Sequence, residues 1–165
     1  MRRAAALALA FLALAALPSC GLQPMYAGGG KGEVARGLTQ VDVPPIDGKD
    51  GWLMRNALRD RLGQPGSKAR YRLDVRLDDQ LEGLGLLTDD TIGRERRTLR
   101  ARYQLVDNET GEILLDATAG SDAGIDVVSS EYATVAAEET ALENLTQDVA
   151  DRIVTQLALT LRSQS

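Results

Sequence analysis

Two short runs with a strict two-residue period constrain this chain more than anything else in it. Tyr71, Leu73, Val75 and Leu77 alternate with Arg70, Arg72, Asp74, Arg76 and Asp78; Leu99, Ala101, Tyr103 and Leu105 alternate with Thr98, Arg100, Arg102 and Gln104. Successive side chains of a strand point to opposite sides, so each run buries one side and wets the other. Such strands belong in a sheet with one covered face. Closure of the intervening loop near Thr88 sets Leu77 opposite Leu99, Val75 opposite Ala101 and Leu73 opposite Tyr103. That register also sets Asp74 against Arg102, which attracts, and Arg76 against Arg100, which repels.

The cover comes from the C-terminal segment. From Tyr132 the period turns helical, with Val135, Leu142, Leu145, Val149, Ile153, Leu157 and Leu161 on one stripe. Continuous to Arg162, this helix measures about 46 Å, long enough to lie along a whole sheet. Upstream, Leu38 to Val43 alternates and Pro44-Pro45 stops it, which predicts a first strand. Asp47 or Asp50 can cap a following helix with Met54, Ala57, Leu58 and Leu62 on one face, ended by Gly63 and Pro65. Trp52 is expected to anchor that helix in the core. Asp107 to Gly111 reads as a turn, and Ile113, Leu115, Ala117 and Ala119 continue the alternation in a fourth strand. The expected fold is α+β: a βαβββα two-layer sandwich, a four-stranded sheet with two helices on one face and the other face open.

The N-terminus reads as an address. Arg2 and Arg3 precede an apolar run from Ala4 to Leu17, which is shorter than the roughly 20 residues a spanning helix needs. Leu17-Pro18-Ser19-Cys20 resembles a bacterial lipobox, so residues 1–19 are expected to be a signal peptide and Cys20 the lipid attachment site. Acyl chains contribute about 0.8 kcal/mol per buried methylene, which anchors a protein without a spanning helix. In the lipoproteins that this leader resembles, Asp after the cysteine tends to retain the protein at the inner membrane, so the resemblance implies, through Gly21, the outer one. Residues 20–37 contain six glycines and read as a lipidated tether with a reach of about 23 Å, carrying a single domain over residues 38–165.

Composition narrows the chemistry. Removing residues 1–19 takes away Arg2 and Arg3, leaving 17 basic residues against 24 acidic ones and a net charge of −7. That balance argues against nucleic acid as the main partner, because phosphate neutralisation dominates such binding. There is no histidine, and the one cysteine is Cys20. Hydrolase triads and zinc sites therefore have little to build on, and no metal or other cofactor is expected. Asp89-Asp90 offers too few carboxylates for a cation, and no acid pair stands in a context for glycoside hydrolysis. The protein is not expected to be an enzyme.

Cys20-Gly21-Leu22-Gln23-Pro24-Met25-Tyr26, Leu53 to Leu58, Leu99 to Asp107 and Glu131-Tyr132-Ala133-Thr134 together resemble the LptE lipoprotein family, in particular its alphaproteobacterial branch. The resemblance implies a periplasm-facing outer-membrane lipoprotein that sits in the lumen of the LptD β-barrel, helps it assemble and assists delivery of lipopolysaccharide to the outer leaflet. The expected partners are thus an LptD-like barrel, lipopolysaccharide and, through the N-terminal lipid, the membrane.

Lipopolysaccharide carries phosphates and carboxylates, which guanidinium groups bind through paired hydrogen bonds. Period two places Arg94, Arg96, Arg100 and Arg102 on the wet side of their strand, with Arg72 and Arg76 beside them. These six arginines are the candidate contact surface for lipopolysaccharide or for acidic residues of the barrel lumen. The alternative is ion pairing with Asp74, Asp78 and Glu82. Leu84, Leu86 and Leu87 lie in a glycine-bounded loop that either packs under the sheet end or meets a barrel wall or acyl chain. An auxiliary lipoprotein of an ABC-type lipid transporter, or a structural envelope lipoprotein without lipid ligand, would share much of this pattern.

Overall fold

The computed structural model describes residues 32–65, 68–84 and 93–164. The expected signal peptide, Cys20, most of the tether, Leu86, Leu87 and Asp89-Asp90 lie outside the described residues. In chain order the elements are α1 (Glu33–Leu38), β1 (Val41–Asp42), α2 (Gly48–Leu62), β2 (Tyr71–Gly83), β3 (Arg94–Asp107), β4 (Ile113–Asp126) and α3 (Glu131–Ser163). The strands form one mixed sheet in the order β1-β2-β3-β4.

β1 runs parallel to β2, with Val41 opposite Tyr71. A parallel pair cannot be closed by a tight turn, and α2 supplies the crossover. β2, β3 and β4 follow as an antiparallel meander. The helices lie on one face, where Leu73, Leu99, Ala101, Tyr103 and Leu105 meet Met54 and Leu58 of α2 and Leu145, Val149, Ile153 and Leu157 of α3. The α+β sandwich read from the sequence is therefore the fold of the protein, with one helix added. That helix, α1, lies in the stretch expected as tether. It packs on the end of α3, where a Cβ on Gly37 would come within 3.3 Å of Leu161 Cδ1. It shortens the expected first strand to two residues.

The stop read at Gly63 acts as expected, whereas Asp47 stands at the N-cap of α2 without a side-chain cap hydrogen bond. Gly63 adopts φ 84° and donates its N–H to Arg59 O at 2.9 Å, ending α2. Ser130 caps α3 by accepting the Ala133 N–H at 3.4 Å. Gly51 is required where α2 crosses the preceding segment, since a Cβ there would fall 2.5 Å from Ile46 O. Its neighbour Trp52 departs from expectation. It is 64% exposed, because it stands 100° around the helix from Gly51 while the buried stripe runs through Gly51, Met54, Ala57, Leu58 and Leu62. Val135 is likewise exposed. Thr134 takes the inward position instead, its hydroxyl accepting the Val128 N–H where the chain arrives from β4.

The β2–β3 register differs from expectation by two residues. Leu77 lies opposite Ala101, Val75 opposite Tyr103 and Leu73 opposite Leu105. Consequently Asp74 faces Gln104, Arg76 faces Arg102 and Asp78 faces Arg100. A two-residue slip preserves parity, so the hydrophobic pattern cannot distinguish the two pairings. The far end of the hairpin does distinguish them. Asp107 sits opposite Tyr71, its carboxylate accepts the Glu109 N–H at 2.8 Å and lies 3.5 Å from the Arg70 guanidinium, and Asn108 donates to Ala69 O and, from its backbone, to Arg70 O. These contacts lock the start of β2 to the β3–β4 turn. The hydrogen bond from Glu109 and the nearby Arg70 hold the Asp107 carboxyl below its ordinary range.

Candidate functional site

The sheet face opposite the helices is built from the even-numbered residues of β2, β3 and β4. All six expected arginines reach it. Arg72 and Arg76 stand on β2, and Arg94, Arg96, Arg100 and Arg102 form a ridge along β3. The ridge is flanked on both sides by acid: Asp74, Asp78 and Glu82 on β2, and Asp116, Asp122 and Asp126 on β4. Six guanidinium groups share one face with six carboxylates, so its character depends on which pairs close.

Four of the arginines are paired. Arg72 Nε lies 2.9 Å from Asp74 Oδ1 along its own strand. Arg102 makes a two-bond contact with Asp116, Nη2 to Oδ2 at 3.0 Å and Nε to Oδ1 at 3.2 Å, and Gln104 donates to the same carboxylate. Those bonds, led by Arg102, hold the Asp116 carboxyl below its ordinary range. Arg94 meets Asp126 at 3.1 Å, and Arg96 approaches Asp122 at 3.9 Å. The partners are thus mainly β4 carboxylates rather than the expected Asp78 and Glu82, because β3 has a second neighbour that the comparison of two strands leaves out.

Arg76 and Arg100 close no ion pair or side-chain hydrogen bond among the described residues. They are diagonal neighbours, with Arg102 between them across the strands from Arg76. Arg100 lays its stem over Gly120, where a Cβ would fall 3.2 Å from Arg100 Cγ. Arg76 and Arg102 also line a groove of 500 Å³ closed on its other side by Pro44, Pro45 and Ile46. Asp74 and Gln104 share that lining, and Arg76, which closes no ion pair there, can bind an anionic oxygen cluster through charge-assisted hydrogen bonds.

A second charged group lies on the helix-covered side and escaped the sequence reading, since Arg97 has the parity of the core. Its Nε donates to Asp79 Oδ1 at 2.9 Å and its Nη2 to Oδ2, while Nη1 donates to Glu138 O of α3 at 2.9 Å. It ties β2, β3 and α3 together. Nearby Glu95 is pushed above the ordinary carboxyl range, first by burial and then by the Glu138 carboxylate beside it. Parity alone would have flagged both residues as charges on an apolar side.

Among the described residues no helix is long and apolar enough to cross a membrane, and no cluster of potential metal ligands occurs. No curated protein matches the sequence. Among solved structures, a chain from Caulobacter crescentus assigned as a lipoprotein is 24% identical, with a TM-score of 0.68 over 81% of this chain and 98% of that one. The rare lipoprotein B of Shewanella oneidensis is 14% identical, with a TM-score of 0.55 over 75% of this chain and 96% of that one. A minor lipoprotein of Acinetobacter baumannii is also 14% identical, at 0.55 over 72% and 88% of the two chains. These likenesses establish the fold. The family model for LptE, described as lipopolysaccharide-assembly, matches residues 38–157, from the last residue of α1 to the last turns of α3, and the chain belongs to the LptE lipopolysaccharide-assembly family.

Proposed function

We propose that the protein is an outer-membrane lipoprotein, held through a lipidated Cys20, that plugs and helps assemble an LptD-like β-barrel and assists delivery of lipopolysaccharide. On this reading the helix-covered side gives the domain its rigidity, and the open sheet face meets the anionic groups of lipopolysaccharide. The observation that carries the contact surface is the pair Arg76 and Arg100, diagonal neighbours that face outward without an ion pair among the described residues, Arg76 also lining a groove with Arg102. Arg72, Arg94 and Arg96 act around them through an already paired set of charges.

Affinity purification of the lipidated protein from detergent-solubilised envelopes tests the first half. Near-stoichiometric recovery of a large β-barrel is expected, and recovery of ABC-transporter subunits without a barrel would overturn the reading. For the second half, Arg76→Glu with Arg100→Glu should reduce lipopolysaccharide retention about tenfold or more, from the 1.5–3 kcal/mol typical of hydrogen bonds to charged groups. Undiminished retention by the folded variant would remove these arginines from the contact surface.

A further inference from the structure

The sheet ends on β4, and that edge is unusually open. Among the described residues no strand pairs beyond it. The bond from Val127 N to Gly93 O shows that odd-numbered residues of β4 pair with β3, so the N–H and C=O groups of Asp116, Thr118, Gly120, Asp122, Gly124 and Asp126 point outward. Protein edges are usually blunted by lysine, proline or a covering element. β4 contains neither residue, and its middle reads Ala117-Thr118-Ala119-Gly120-Ser121-Asp122-Ala123-Gly124, with side chains too small to screen the backbone. Only Gly120 O is capped among the described residues, by Arg152 Nη1 at 2.7 Å. Beyond that cap a groove of 590 Å³ separates the edge from α3, with Ala123, Ile125, Ala136, Ala137 and Ala141 among its walls. Asp122, Asp126 and Asp148 line it with no Lys or Arg among the described residues of the lining; Asp122 and Asp126 reach Arg96 and Arg94 on the open face, while Asp148 closes no ion pair among the described residues.

We propose that the β4 edge and this groove dock an extended cationic segment of a partner protein, which adds as a fifth strand. A strand laid between a sheet edge and a helix gains backbone hydrogen bonds from the edge and places alternate side chains in the helix groove. Here the groove-facing positions take small or medium apolar residues, and the opposite positions, above Asp122 and Asp126, take Lys or Arg. The α3 wall from Ala136 to Asp148 is about 18 Å long at 1.5 Å per residue, which matches a segment of about six residues at 3.3 Å each. The outer edge of β2 is less suited, because Pro44, Pro45 and Ile46 lie against its Leu73 to Arg76 stretch. This site lies on a different border of the sheet from Arg76 and does not require the lipopolysaccharide reading, although its Asp122 and Asp126 also pair with Arg96 and Arg94 of the open face.

The test uses the full-length protein and a labelled peptide of about seven residues alternating valine and lysine. Binding should slow amide exchange about tenfold or more at Asp122, Gly124 and Asp126 and leave the intervening odd-numbered amides unchanged. A peptide with glutamate in place of lysine should bind at least tenfold more weakly. Gly124→Pro removes one outward donor without touching the β3 ladder, and a Cβ there meets nothing within 4 Å; it should lower affinity at least tenfold. Should that variant fail to fold, Ala137→Arg fills the groove from the helix side and should give the same loss. Protection on the β2 edge, equal binding of the acidic peptide, or undiminished binding by the folded variants would overturn the proposal. So would sedimentation showing a dimer that Gly124→Pro dissolves while peptide leaves it intact, which would assign the edge to a second copy of this chain.

Discussion

The two faces of the sheet are made by the same three strands, yet they obey different physics. On the covered face Leu73, Leu99, Tyr103 and Leu105 are buried against α2 and α3, and the ion pair of Arg97 with Asp79 there is largely screened from water. On the open face the arginines and carboxylates lie in water, where an ion pair is worth little to stability. Charge on the covered side is therefore structural, and charge on the open side is available for recognition. Arg97 and Arg100, three residues apart on one strand, are the sharpest form of that contrast.

The largest effect that could break the comparison lies in the core. Leu145→Ala or Leu157→Ala should cost about 2–5 kcal/mol in urea unfolding, since both side chains are fully buried against the sheet. A loss below about 1 kcal/mol would mean that α3 does not cover the sheet as described. Next, Asp79→Ala should cost about 1–3 kcal/mol by leaving the Arg97 guanidinium short of its partner, and adding Arg97→Met should restore part of it. Full additivity of the two changes would place that pair among the ordinary surface contacts.

On the open face, Arg76→Glu with Arg100→Glu should change stability by no more than about 0.5 kcal/mol while lowering lipopolysaccharide retention. A loss of stability comparable to that of Asp79→Ala would erase the distinction between the faces. The smallest effect concerns pH. Glu95 has a raised folded pKa, so its favourable contribution belongs to low pH and is lost as pH rises through that value, above the ordinary carboxyl range. Asp116 and Asp151 have lowered folded pKa values, chiefly from Arg102 and, for Asp151 on α3, from the hydrogen bonds donated by Arg61 of α2. Their contributions are present at neutral pH and disappear only as pH falls below the ordinary range. Glu95→Gln should therefore flatten the decline of stability above the ordinary carboxyl range and leave the acid limb unchanged; an altered acid limb would contradict the assignment.

What could be read in advance divides along the same lines. The open face was legible because period two assigns each residue to a side whatever its partner. Arg72, Arg76, Arg94, Arg96, Arg100 and Arg102 arrive there although the pairing differs by two residues. Which of them stay unpaired was not legible, because it depends on Asp116, Asp122 and Asp126 from a third strand. Trp52 and the α1 helix were misread for a related reason: a large aromatic and a glycine-rich stretch have strong local habits, but burial is decided by what packs beside them.

By itself the sequence determined the periods, the stops and the sides: strands that wet one face, a long apolar stripe to cover the other, and glycines where the chain must turn or pass close. Those are properties of neighbouring residues, and short-range sterics enforce them. Tertiary structure alone decided the register, the two arginines left without carboxylates, the charge pair under α3 and the uncovered edge of β4. Each of these depends on residues far apart in the chain, and a contact between distant residues is set only when the whole core closes.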